Sequence, residues 1–324
     1  MARNKSTASK FTPAVRYLRY NLTNSETPGT ETSHFFDLAR DLSLVNRRLM
    51  RQGRQYHVKS VRVTSSNTIA GWSQYAAIPP NEGQQSAGRI SIGVIPNGWV
   101  SQMAWKRSFK TWQTMKNEVL KQTSGDVTAT WDDFKVFMSD THRTAVLPRP
   151  IDNGGNQYLQ GEWNYSDMVS PDGTTGSDQF ALHMLGNHVG AVGAWTSVGL
   201  IKSFGESRST VQLSPNVPGD FSEDPLLNVF DYGTTIDEVA NLIEGENDLP
   251  PYDITNYPGD DGNGPKPLAI LESSIADGRT SLPGFTALCG LVELEISSPI
   301  ASDVYSVIFE LAPGKYRGIK ADVI

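Results

Sequence analysis

Two groups of residues in this 324-residue chain have types and spacings that could do chemistry. The first is a series of cations near the start: Arg3, Lys5, Lys10, Arg16 and Arg19, followed by Arg47, Arg48, Arg51 and Arg54. No acid precedes Glu26, and residues 1–60 hold eleven Lys and Arg against four Asp and Glu. That stretch therefore carries +7, which leaves −14 on the remainder of a chain whose net charge is −7. A basic segment on an acidic body is the electrostatic pattern of a protein that contacts nucleic acid or another polyanion. Phosphate neutralisation by such cations is indifferent to base sequence and weakens steeply with salt. The second group is Asp253, Asp260, Asp261 and Asn263, oxygen donors on a Gly-rich turn that suits Ca²⁺. The EF-hand spacing is absent, so a solvated acidic loop is the plainer reading. Were Ca²⁺ to bind, carboxylates from two subunits would share it.

Other reactive side chains point away from catalysis. Among His34, His57, His142, His183 and His188 only the last two are close, and five residues apart does not place them on one side of a strand. There is no Gly-x-Ser-x-Gly elbow, no His-Glu-x-x-His and no phosphate-cradling glycine loop, so an enzyme is not expected. Trp105-Lys-Arg-Ser-Phe-Lys-Thr-Trp112 could stack bases beside phosphates, but aromatics at helical spacing more often build a core. The one cysteine, Cys289, sits in an apolar run and reads as a buried structural thiol.

The elements that must position these residues follow from periodicity. Residues 1–33 read as a basic arm ordered only by partners, so deleting residues 2–33 should leave the body folded. Residues 34–54 read as an amphipathic helix, with Phe35, Leu38, Leu42, Val45 and Leu49 on one side. Ser33 would cap that helix and Gly53 would end it, leaving Arg47, Arg48 and Arg51 in its last turns. Residues 55–324 are dominated by strand signals, with a register change implied near Ser60. The strand segments are 56–64, 89–95, 133–138, 161–166, 179–185, 194–201, 267–271, 287–296 and 304–311, and helices are expected near 100–122 and 235–243. The 29 glycines and 19 prolines fit an all-β chain with long loops. The expectation is a single β-sandwich of the jelly-roll kind, with about eight core strands and inserted helices. No signal peptide and no membrane span are read from the sequence.

Several stretches carry a family resemblance: Gly161-Glu-Trp-Asn-Tyr-Ser, Leu182-His-Met-Leu-Gly, Ile201-Lys-Ser-Phe-Gly-Glu-Ser-Arg, Asn247-Asp-Leu-Pro-Pro-Tyr-Asp with Tyr257-Pro-Gly, and Leu311-Ala-Pro-Gly-Lys-Tyr-Arg-Gly. In these the chain resembles jelly-roll coat proteins of small circular single-stranded DNA viruses. The resemblance implies a capsid subunit, made in the host cytoplasm without a signal peptide, that self-assembles into an icosahedral virion. Its partners would be copies of itself and the single-stranded genome. The arm departs from the pattern, being less basic than the Arg-rich tails of such proteins. The competing reading is a carbohydrate- or ligand-binding β-sandwich, lectin-like or tail-spike in type, that uses exposed Trp and a Ca²⁺ loop.

Overall fold

The computed structural model describes residues 13–65, 88–122, 132–169, 179–191, 194–209, 268–275 and 278–324. Its first strand, β1 (Tyr17–Thr23), alternates strictly, with Leu18, Tyr20 and Leu22 buried and the residues between them exposed. β2 (Glu31–Asp37) follows, and Asp37 then caps helix α1 (Leu38–Asn46) by accepting from the Arg40 N–H at 3.1 Å. Arg47 closes α1 in a left-handed conformation, φ 51°. β3 (Arg54–Ser65) and β4 (Gly88–Val94) complete the first half of a sandwich. Its second half is β9 (Leu268–Ile275), β10 (Arg279–Leu282), β11 (Phe285–Leu288), β12 (Leu291–Ser297) and β13 (Val304–Leu311). Between the halves lie helices α2 (Trp99–Gln122), α3 (Asp140–Thr144) and α4 (Leu200–Ser209). The same insertion holds the short strands β5 (Asp167–Val169), β6 (Gln179–His183), β7 (Val189–Ala191) and β8 (Ala194–Gly199). The chain ends with β14 (Pro313–Gly314), β15 (Gly318–Ile319) and β16 (Ala321–Val323).

Two antiparallel sheets face each other. One runs β1-β13-β3-β10, with β11 and β16 also paired to β3; the other runs β2-β12-β4-β9. Residues from both sheets meet in one apolar core, including Tyr20, Phe36, Ile92, Leu294 and Phe309. Tyr20, Phe36 and Phe309 pack as a ring cluster, with centroids 4.7–5.9 Å apart. Three fully buried aromatics of this size would each contribute about 2–3 kcal/mol through the area they remove from water. The protein is thus an all-β sandwich with few helices.

The register change expected near Ser60 is present: Glu310 pairs with Ser60 and Leu311 with Val58, so Lys59 is the extra residue of a bulge. The bulge lets Val58 and Val61 both face the core despite their odd spacing.

Other expectations are corrected. Residues 17–23 are not part of an arm but an edge strand, paired along its whole length with β13. The helix expected over 34–54 is only α1, because Phe35 and Phe36 are taken by β2, where pairing with β12 places them on opposite faces. Gly53 does not end it. The sandwich therefore begins at β1 rather than at residue 55. Residues 133–138 and 161–166 are not strands: in the first, side chains take two backbone donors, Lys135 N–H bonding Ser166 Oγ and Val136 N–H bonding Gln52 Oε1, and Phe137 makes an isolated bridge with His183; in the second, Ser166 N–H bonds the Lys135 carbonyl. The segment expected over 287–296 breaks at Cys289 and Gly290, both at positive φ, where the chain crosses from one sheet to the other. The helix expected near 235–243 lies outside the described residues.

The insertion has its own core, in which Trp105, Phe134, Val136, Met184 and Phe204 pack against Phe35, Leu288 and Cys289 of the sandwich. Trp105 stacks on Phe109 at 5.2 Å, so the aromatics of α2 serve packing. A buried polar seam joins the two parts. Asp37 accepts from Gln52 Nε2, Trp163 Nε1 and Tyr165 OH at 3.0–3.2 Å. Arg40 donates through Nε to Asp41 at 2.7 Å and through a terminal nitrogen to the Pro148 carbonyl at 2.5 Å. Among the described residues no helix is long and apolar enough to cross a membrane.

Candidate nucleic-acid interface

The connection from α1 to β3 gathers the second set of cations. Arg47 and Arg51 are exposed, and Arg48 and Arg54 are half-buried. Their backbone is held from below: Gln52, fully buried, donates its N–H to Asp133 Oδ2 at 2.8 Å and makes paired bonds with the Val136 backbone at 2.6 and 3.0 Å. Arg51 is steered by the Asp132 carbonyl at 3.0 Å. Asp133 is 9% exposed, and burial pushes its carboxyl up to about 6.

The C-terminal hairpin of β14 and β15 closes over this connection. Arg317 donates to the Leu49 carbonyl, and the Tyr316 hydroxyl accepts from the Arg51 N–H at 3.0 Å. The Arg54 guanidinium lies 3.7 Å above the Tyr316 ring. Lys315, Arg317 and Lys320 are exposed beside it. The tail cations escaped sequence reasoning because more than 250 residues separate them from Arg54. The available signal was the run Lys315-Tyr-Arg317, an aromatic between two cations.

The root of the N-terminal segment meets the same cluster. Arg48 donates to the Pro13 carbonyl at 3.1 Å, the Val15 N–H donates to Asn46 Oδ1 at 2.7 Å, and Arg16 reaches the Leu311 carbonyl at 3.5 Å. Arg16, Arg47, Arg48, Arg51 and Arg54 are thus brought together with three tail cations, whereas Arg19 is not: it points outward from the middle of β1. Arg3, Lys5 and Lys10, and the oxygen donors Asp253, Asp260, Asp261 and Asn263, lie outside the described residues. Arg40 contributes no free charge, being 2% exposed and paired with Asp41.

The arrangement can hold phosphates. Eight cations lie on the segments that meet at this end of the sandwich; of the carboxylates there, Asp133 bonds Gln52 and Arg51, and the exposed Asp322 lies 2.7 Å from His57.

His183 and His188, the close pair, are occupied structurally. His183 is fully buried, 2.5 Å from Ser197 Oγ through Nδ1, and its other nitrogen faces the Asn187 carbonyl at 3.0 Å. Burial lowers its pKa to about 4. His188 Nδ1 accepts from the Gly199 N–H. Cys289 is fully buried, which pushes its thiol well up. Sandwich and basic end together define an all-β sandwich protein with a cluster of cations at one end. In comparisons with known proteins, no family model, no curated protein and no solved structure matches the chain.

Proposed function

We propose that the chain is the coat protein of a small icosahedral virus, a single jelly-roll subunit that self-assembles around a nucleic-acid genome, single-stranded DNA by the resemblance. Support for the jelly roll comes from strand order. Taking β1, β2, β3, β4, β9, β10, β12 and β13 as strands one to eight, the pairs one–eight, two–seven, three–six and four–five are all present and antiparallel. A long hairpin of those four pairs, rolled upon itself, has the two sheet orders one-eight-three-six and two-seven-four-five seen here.

Jelly rolls serve capsids and lectins alike, so topology alone does not choose. The observation that carries the choice is the eight-cation end built where the N-terminal segment enters the fold. A polyanion ligand needs such a surface and a glycan does not. Of the described tryptophans, Trp105 is buried, Trp112, Trp163 and Trp195 are half-buried, and Trp99 is exposed but sets its ring edge-on to Phe204, so they form no shared platform for a glycan. On this reading the chain has no catalytic role and resides in the virion.

The test is to express the full chain and image it, with the nucleic-acid content of purified particles measured by absorbance. Closed, uniform shells containing nucleic acid are expected. A monomer at high concentration across salt and pH, binding glycans instead, would overturn the reading.

A further inference from the structure

The two sheets turn outward faces of opposite charge. On the larger sheet, one cross-strand row reads Arg19, Ile308, Arg62, Ser281, and the next reads Asn21, Ser306, Thr64, Arg279. Arg19, Arg62 and Arg279 are exposed, as is Lys59 on the bulge. Within these rows and the bulge the one carboxylate among the described residues is Glu310, held by Lys59 at 2.7 Å and by Arg62 at 3.8 Å. On the smaller sheet the insertion covers the row containing Phe35, which is buried in the second core. Further along the face, Glu31, Ser33, Arg89 and Glu272 are exposed, Glu295 is half-buried and Ser91 is buried. Its rows there read Ser33, Glu295, Ser91, Glu272 and Glu31, Ser297, Arg89, Ser274. Three carboxylates stand there against Arg89, which pairs with Glu31 at 3.3 Å and with Glu272 at 2.7 Å.

The spacings also correspond. Arg19 and Arg62 flank the central strand β13, and Glu295 and Glu272 flank β4. Each pair is therefore two strand spacings apart, about 10 Å. A polyanion would account for the cationic face but would be repelled by the acidic one; a second copy of the chain accounts for both. A face that fits a different face of its neighbour makes a heterologous contact, which builds rings and closed shells rather than ending at a dimer.

We propose that the outward face of the β1-β13-β3-β10 sheet in one copy docks on the open part of the outward face of the β2-β12-β4-β9 sheet in the next. The proposal rests on the self-assembly reading and names the faces that assembly uses.

A charge-swap experiment on the full chain tests it. One variant carries Arg62→Glu with Arg279→Glu, and the other Glu272→Lys with Glu295→Lys. Like-charge faces then meet, so each variant alone is expected to need about tenfold or more protein to assemble, by light scattering and electron microscopy. A chain carrying all four substitutions is expected to assemble as the wild type does, since its two reversed faces are again opposite in charge. Circular dichroism and melting near the wild-type temperature show that each variant is folded. Two variants that assemble alone as well as wild type overturn the docking while leaving the coat-protein reading standing. So does an arginine variant that assembles normally but loses nucleic acid, or a folded chain with all four substitutions that stays unassembled. A wild-type chain that never oligomerises overturns both.

Discussion

Arg40 and Arg48 come from one stretch of sequence, yet Arg40 is buried against Asp41 while Arg48 bonds the root of the N-terminal segment. Composition counts both as one positive charge; only burial separates a structural ion from a binding one. The same holds for histidine. Burial lowers His34 and His183 to about 4 and His142 to about 3, while it raises Asp41 and pushes Asp133 to about 6. Between pH 6.5 and 4 the unfolded histidines take up protons that the native ones refuse, so acidification costs stability. The raised carboxylates work in the opposite sense, protonating first in the folded state. Three histidines outweigh two carboxylates, so stability is expected to fall from pH 6.5 towards 4. Asp133→Asn removes one offsetting group. Denaturant unfolding across this range should show the fall steepened by about 1.4 kcal/mol per pH unit for the one proton lost. An unchanged slope would show that Asp133 does not titrate there.

At the scale of elements, legibility followed how much of each pattern the element itself imposed. β3 and β4 put an apolar residue at every second position because that side faces the core, and the Lys59 bulge shows as a break in the alternation of β3. β1 alternates equally well, but its polar residues and basic surroundings read as an arm. α1 was overextended because Phe35 falls at helical spacing from Leu38 although it belongs to a strand. Gly53 was read as a helix stop, whereas its role is packing. A Cβ there would lie 2.5 Å from the Trp105 ring, which is itself buried against Phe109 and Phe134. Gly53→Ala is therefore expected to cost about 1–3 kcal/mol by overpacking, measured by denaturant unfolding. Adding Trp105→Leu should recover part of that loss. Additive losses would mean that the two residues do not meet.

For the whole molecule, the deletion suggested by the sequence is too long. Removing residues 2–33 would take β1 and the start of β2 with it, whereas removing residues 2–12 spares both. The candidate site was half legible: Arg47, Arg48, Arg51 and Arg54 are adjacent in sequence, and Lys315, Arg317 and Lys320 join them only through the fold. Each phosphate-contacting cation contributes about 0.7 to the slope of log affinity against log salt on a single strand. Replacing Arg47, Arg48, Arg51 and Arg54 with Gln should flatten the slope for oligo-dT by about 3 units. Adding Lys315→Gln and Arg317→Gln should flatten it by about 1 more. A slope unmoved by the second pair would remove the tail from the interface.

The pairing of β1 with β13 couples Tyr17 to Glu310, nearly the full length of the chain away. During synthesis β1 has no strand to pair with until β13, more than 280 residues later, has left the ribosome, so the larger sheet is a late, non-local event. The cationic end shares that timing, since Arg54 finds the Tyr316 ring and Leu49 receives Arg317 only once the final hairpin exists. A nascent or truncated chain thus presents neither the completed cationic face nor the completed basic end. On the proposed reading, competence to assemble and to hold a polyanion would therefore wait for the segment that carries β13, β14 and β15.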